Sequence, residues 1–287
     1  ILSSSPTQKV GATVLSSLNK VQITPKPMLS LAKCHTAGEI EDFMTPSPLI
    51  AMVKLDGLSV RLKYQDGKLI SANTRGNGYE GTDITEHVKQ FKNVPLTIPF
   101  KGTYIIDGEA VIKLDDFQSL TGLANPRNAA SGALNVLDTS VTKERHLSFV
   151  AWDVIEPNDT NSFYRNLKKA EDLGFTIVPL LNNPVMTTID EANQKIIDMA
   201  KEQLYPCDGV VWRYDNISFG KSLGMTSHAP RYAIAWKPEI KTTQSILRNI
   251  VWQGGRGDKL TPVAEFDPID IDGSVVERAS LRNCSIM

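Results

Sequence analysis

From residue 49 onward the apolar positions of this chain fall in short blocks that predict β-strands. LIAMV (49–53), LSVRLKY (58–64) and KLISANTR (68–75) read as three consecutive strands. The last two flank Gln65-Asp66-Gly67, and an Asp-Gly between apolar runs is a strong hairpin signal because both turn positions need positive φ. TYIIDGEAVIKL (103–114), LSFVAWDVI (147–155), CDGVVWRY (207–214) and RYAIAWKP (231–238) predict four more strands. Helices are predicted over GEIEDF (38–43), TDITEHVKQF (82–91, with a Thr/Asp cap), SFYRNLKKAEDLG (162–174, stopped by Gly174) and IDEANQKIIDMAKEQL (189–204). DDFQSL reads as one helical turn. Residues 1–28, rich in Ser, Thr, Pro and Lys, read as an irregular lead-in. After Pro238, ILRNIVWQ, KLTPVAEF and SVVERASL predict three short strands with glycine-bearing turns, as at the opening of a small β-barrel. The pattern is α+β, mostly antiparallel sheets with helices packed outside.

Composition adds bounds. The 287 residues are 41% hydrophobic and 22% charged, ample for a core, and suit one large domain or two. A net charge of −1 excludes a globally basic nucleic-acid binder, so any basic face must be local. Cys34, Cys207 and Cys284 form neither a disulfide ladder nor a CxxC pair, which predicts a reducing compartment. No apolar run reaches the roughly 18–20 residues of a membrane span. The opening ILSSSPTQKV lacks the charged start and apolar core expected of a signal peptide.

Candidate chemistry lies in five islands: Lys54-Leu55-Asp56-Gly57, Thr74-Arg75-Gly76-Asn77-Gly78, Asp107-Gly108-Glu109, Asp208 to Arg213, and Ala235-Trp236-Lys237-Pro238. Taken singly, each has a dull explanation, since a charged residue at a strand end is usually solvated surface. Lys54 alone could be such a residue. Read together, the islands place a lysine at the end of a buried strand, with a tight turn behind it, where it can act as a nucleophile. His35, His87, His146 and His228 have no metal-ligand spacing and are assigned to surface or capping roles, and Trp212, Trp236 and Trp252 to packing.

The islands and their surroundings resemble the NAD-dependent DNA ligases of the bacterial type. The resemblance rests on PMLSL (27–31), VKLDGLSVRLKYQDGKL (53–69), NTRGNGYEGTDITEHV (73–88), GEAV (108–111), NPRNAASGAL (125–134), DGVV (208–211), LGMTSHAPRYAIAWKP (223–238) and GRGDKLTPVAEFDP (255–268). It implies a nucleotidyltransferase fold, ATP-grasp-like, over residues 29–240, followed by a truncated OB-fold β-barrel over 241–287, with 1–28 as a linker. It also implies NAD as AMP donor, Mg²⁺, nicked double-stranded DNA as partner, and a cytoplasmic setting in a bacterial or phage-infected cell.

The resemblance assigns site roles by position. Lys54 becomes the adenylated nucleophile, its pKa lowered by partial burial and by cations such as Lys237, Arg213 and Arg75. Asp56 holds the lysine and, with Glu109, places the metal; Glu109 also grips the AMP ribose. Gly57 lets the chain turn tightly beside the nucleotide. Lys237 neutralises the α-phosphate. Arg75 and Arg127 hold nucleotide or nick phosphates, Trp152 and Arg213 flank adenine, and Ser30 and Leu31 close its end of the pocket. Met52 and Leu55 complete the nucleotide-lining set.

This chain departs from the family at four places: Met52 replaces a glutamate, Asp107 and Asn135 replace arginines, and Arg213 replaces a lysine. The family's nicotinamide-binding N-terminal domain, zinc site, helix-hairpin-helix region and BRCT domain are not among these residues. The expectation is an excised adenylation fragment, or one subunit of a split enzyme with a second chain. The competing readings are an ATP-dependent ligase or capping-type nucleotidyltransferase, and a non-catalytic DNA-binding subunit.

Overall fold

The computed structural model describes residues 18–184, 188–226, 229–238, 243–254, 260–271 and 274–281. Residues 1–17 of the lead-in, His228 and Cys284 lie outside them. The chain divides into two units, Ile1–Pro238 and Glu239–Met287.

In chain order the first unit contains β1 (Lys20–Gln22), β2 (Ala32–Cys34), α1 (Ala37–Phe43), β3 (Leu49–Leu55), β4 (Leu58–Gln65) and β5 (Lys68–Thr74). Next come β6 (Glu80–Thr82), α2 (Thr85–Val88), β7 (Thr103–Val111), α3 (Leu114–Gln118), α4 (Pro126–Leu134), α5 (Ser140–Glu144) and β8 (Ser148–Glu156). The unit closes with α6 (Phe163–Asp172), β9 (Leu180–Asn182), α7 (Ile189–Glu202), β10 (Cys207–Tyr214), α8 (Ile217–Ser222) and β11 (Ala233–Trp236).

These strands form a five-stranded sheet, order β2-β11-β10-β3-β9, a four-stranded sheet, order β5-β4-β7-β8, and the pair β1-β6. Within the five-stranded sheet, β2 and β11 pair in parallel and the other neighbours are antiparallel. The unbroken apolar run of β3 has a physical cause, because a central strand covered on both faces needs apolar residues throughout. Leu49 to Val53 are all buried. α7 covers one face, where Trp212 Nε1 donates to Asn193 Oδ1 at 2.9 Å. By strand alternation Lys54, Met52 and Ile50 share the other face with Gly209, Val211 and Arg213, their register partners on β10.

The β4–β5 hairpin turns at Asp66 and Gly67, with φ of 47° and 80°, as the Asp-Gly signal requires. Elsewhere the structure differs from expectation. The helix expected over 82–91 is only the four residues of α2, because Thr82 pairs with Lys20 and Asp83 instead caps the amide of Thr85. The lead-in is not wholly irregular: β1 forms, and Ile23 and Met28 are buried. NPRNAASGAL is a helix with Asn125 as N-cap and Pro126 in the first turn. That start signal is legible in the sequence. His87 is fully buried rather than on the surface.

The second unit contains β12 (Leu247–Gly254), β13 (Leu260–Ile271) and β14 (Ser274–Ser280). Its described residues form a three-stranded antiparallel sheet, order β12-β13-β14, without closing a barrel. Trp252 is 51% exposed and so is not a packing residue. Among the described residues no helix is long and apolar enough to cross a membrane, and Cys34 and Cys207 are free thiols.

Candidate active site

Three neighbouring strands build the centre of the site. Lys54 stands near the end of β3, Asp208 near the start of β10, and Lys237 just past β11. Lys54 Nζ donates to Asp208 Oδ1 at 2.8 Å, and Lys237 Nζ donates to Asp208 Oδ2 at 2.6 Å. One carboxylate therefore bridges two lysines. Backbone irregularity aims it: the β3–β10 register shifts between Cys207 and Gly209, leaving Asp208 unpaired at a bulge. Gly209 is required there, since a Cβ would lie 2.1 Å from the Trp236 carbonyl oxygen. Burial pushes the Asp208 carboxyl upward, but hydrogen bonds from Lys237 and Lys54 prevail and hold it below the usual carboxylate range.

The four-stranded sheet contributes Glu109 from β7. Its Oε2 accepts from Ser59 Oγ at 3.0 Å and from Trp152 Nε1 at 3.3 Å. Burial pushes the Glu109 carboxyl up to about 7, against the Ser59 hydrogen bond and the charge of Lys54. Gly57 has a reason other than the tight turn expected of it. A Cβ there would lie 2.3 Å from the Ala110 carbonyl oxygen and 2.9 Å from Glu109 Cγ, so its absence lets β7 approach the loop that follows Lys54.

The remaining expected residues divide in two. Met52 and Leu55 are buried on β3, and Leu31 is half-buried. Arg75 Nη1 lies 3.4 Å from Ser30 Oγ. Asp56 does not hold Lys54: it accepts from Arg127 Nη1 at 2.9 Å, while Asp208 takes the lysine. Nor is Arg213 beside Lys54. It is 8% exposed, pairs with Asp153 at 3.4 Å and lies 3.8 Å from the centre of the Phe163 ring. The nearest charged partner of Lys54 is thus a carboxylate, not the cations expected around it. Asp208 is visible as part of DGVV, but no local signal there shows that a bulge turns it between two lysines.

Among the described residues no three His, Cys, Asp or Glu side chains converge as a metal site. Asp56, Glu109 and Asp208 supply hard oxygen donors, but Arg127, Ser59 with Trp152, and the two lysines already engage them. Such a set fits a Mg²⁺ that arrives on substrate phosphates and takes one or two carboxylates, rather than a preformed cage.

Residues 15–241 match the family described as NAD-dependent DNA ligase adenylation domain. The whole chain is 37% identical over 300 residues to a DNA ligase of Ruminiclostridium cellulolyticum, and covers 45% of it. A DNA ligase of Lachnoclostridium phytofermentans is likewise 37% identical, over 303 residues, and again 45% covered. The chain therefore spans less than half the length of these curated relatives. A solved structure of mycobacterial DNA ligase D complexed with ATP and MES is similar at a TM-score of 0.42 and 14% identity, over 91% of this chain and 73% of that one. The chain belongs to the family of NAD-dependent DNA ligase adenylation domains.

Proposed function

We propose that this chain performs the covalent adenylate chemistry of NAD-dependent DNA ligation, with Lys54 as nucleophile. The observation that carries this is the Lys54–Asp208–Lys237 bridge, an amine and a second cation fixed on either side of one acceptor. When the bridge opens, Lys54 Nζ attacks the α-phosphorus of NAD. A P–N bond forms, the P–O bond to nicotinamide mononucleotide breaks, and its electron pair leaves with that product. The bridged Lys54 ammonium first gives up one proton through Asp208 to solvent, which frees its lone pair for the attack, and the P–N adduct then loses a second proton to solvent. Lys237 stabilises the charge that builds on the α-phosphate.

Around this centre Glu109 holds the ribose, and Ser30, Leu31, Met52, Leu55 and Trp152 line the base. Arg75 and Arg127 take phosphates, Arg127 after release from Asp56. Mg²⁺, when bound with the nucleotide, supplies further neutralisation of phosphate charge. In the whole protein AMP then passes to the 5′-phosphate of a nick, and attack by the 3′-hydroxyl seals the strand and frees AMP. The chain covers 45% of each of these relatives, and in this reading sealing draws on what the rest of their length supplies, on the same polypeptide or a second chain. The relatives named DNA ligase support this reading. The free thiols of Cys34 and Cys207 support a reducing, cytoplasmic setting.

The test is a denaturing gel after incubation with Mg²⁺ and adenylate-labelled NAD or α-labelled ATP, comparing wild type with Lys54→Ala. A band from NAD, lost in the variant, is expected. A band from ATP alone would move the protein to the ATP-dependent or capping-type class.

A further inference from the structure

Five charged side chains meet at the other end of β3 from Lys54, where Ile50 pairs with Arg213. Arg61 of β4 stands opposite Asp107 of β7 and grips it with two hydrogen bonds, Nε to Oδ1 at 2.7 Å and Nη2 to Oδ2 at 2.8 Å. Both residues are 2% exposed. The third nitrogen, Nη1, donates to the carbonyl oxygens of Thr24 at 2.9 Å and Lys26 at 2.6 Å. Asp153, opposite Asp107 on β8, takes Lys26 Nζ at 3.5 Å and Arg213 Nη1 at 3.4 Å.

The cluster acts on one stretch of chain. Residues 20–34 pair with β6 through β1, are pinned where the Ile23 and Met28 amides donate hydrogen bonds to the Tyr79 and Gly78 carbonyls, and then pass through Ser30 and Leu31 into β2. There the Cys34 carbonyl accepts from the amide of Lys237 at 3.0 Å. Thr24 and Lys26 lie midway. Their carbonyls have a fixed donor because Asp107 locks the other edge of the guanidinium, a geometry that a lysine cannot reproduce.

We propose that Arg61 is a positioning residue: by holding the Thr24 and Lys26 carbonyls it sets the segment that brings Ser30 and Leu31 to the nucleotide. This rests on the adenylation reading above. The role belongs to the guanidinium fork, not to charge alone.

The test uses the double variant Arg61→Met/Asp107→Leu, which strands no buried charge and so spares the fold, alongside Arg61→Lys. Two readouts are taken on the full chain: amide hydrogen exchange, and the dependence of Lys54 adenylation rate on NAD concentration. In the double variant, exchange at Ile23 and Met28 is expected to quicken about tenfold with Val60 and Leu62 unchanged. The NAD concentration for half-maximal rate rises about tenfold, with the maximal rate nearly kept. Arg61→Lys should share the rise. Unchanged exchange at Ile23 and Met28, or an unchanged NAD dependence, would overturn the role. Exchange needs no nucleotide, so a wild type that takes no adenylate from NAD would sink the proposed function while exchange still decides the role of Arg61.

Discussion

Lys54 and Asp208 lie 154 residues apart in sequence and 2.8 Å apart in the fold. The proposed nucleophile thus rests in an ion pair that must open before its nitrogen can attack. Asp208→Asn leaves two ammonium groups facing a neutral amide and removes the proton acceptor. Single-turnover adenylation of Lys54 should fall by about 10²-fold or more. Stability should change by only about 1 kcal/mol, because the pair is partly solvated. An unchanged rate would remove Asp208 from the mechanism.

Glu109 predicts a pH signature. Its folded pKa of about 7 stands above its ordinary value of 4.5, so the folded state holds the extra proton between those values. The stability it contributes is full below pH 4.5 and is lost as pH rises through 7. Thermal unfolding of Glu109→Gln should therefore match wild type near pH 4.5, gain on it up to pH 7, and then run parallel. A constant difference across that range would refute the assignment.

His87 slopes the other way. Its Nε2 lies 3.0 Å from the Val136 carbonyl and its Nδ1 2.7 Å from Thr142 Oγ1, partners that suit a neutral ring. Burial lowers its pKa from 6.5 despite the Val136 bond, so its contribution is present above pH 6.5 and lost as pH falls below it. His87→Gln should cost about 1–3 kcal/mol at pH 8. The same variant should flatten the acid limb of the unfolding curve, and an equally steep limb would clear His87 of the effect.

Gly57→Ala tests the close approach of β7. The added methyl meets the Ala110 carbonyl and Glu109 Cγ, so β7 must shift. A loss of about 1–3 kcal/mol is expected from overpacking, together with slower Lys54 adenylation as Glu109 moves. Retained stability with retained rate would show that the loop gives way without cost.

Much of the fold was legible because strand signals here are local. LIAMV, LSVRLKY and the Asp66-Gly67 turn report burial and φ through nearest neighbours, and they appear as β3, β4 and their hairpin. The three-residue strands β1, β2, β6 and β9 were not legible, since their partners are distant in sequence and their few residues carry no period. Likewise Lys54, Glu109 and Lys237 could be marked from motif positions, whereas their contacts could not. That Asp208 rather than Asp56 takes Lys54 depends on a bulge, and that Arg213 turns to Asp153 depends on where β8 passes. Pairings of charges between strands are decided by register, which no single stretch of sequence contains.

The antiparallel trio β3, β10 and β11 also works as a ruler. Neighbouring strands stand about 4.8 Å apart, so lysines carried on the two outer strands are separated by about twice that at the backbone. Their side chains lean in to meet the two oxygens of Asp208 on the middle strand. In the proposed chemistry a phosphoryl group that enters beside Asp208 meets the same two lysines, and its oxygens can face both across that gap. The hydrogen-bond spacing of a β-sheet thereby becomes the gauge to which the substrate is cut.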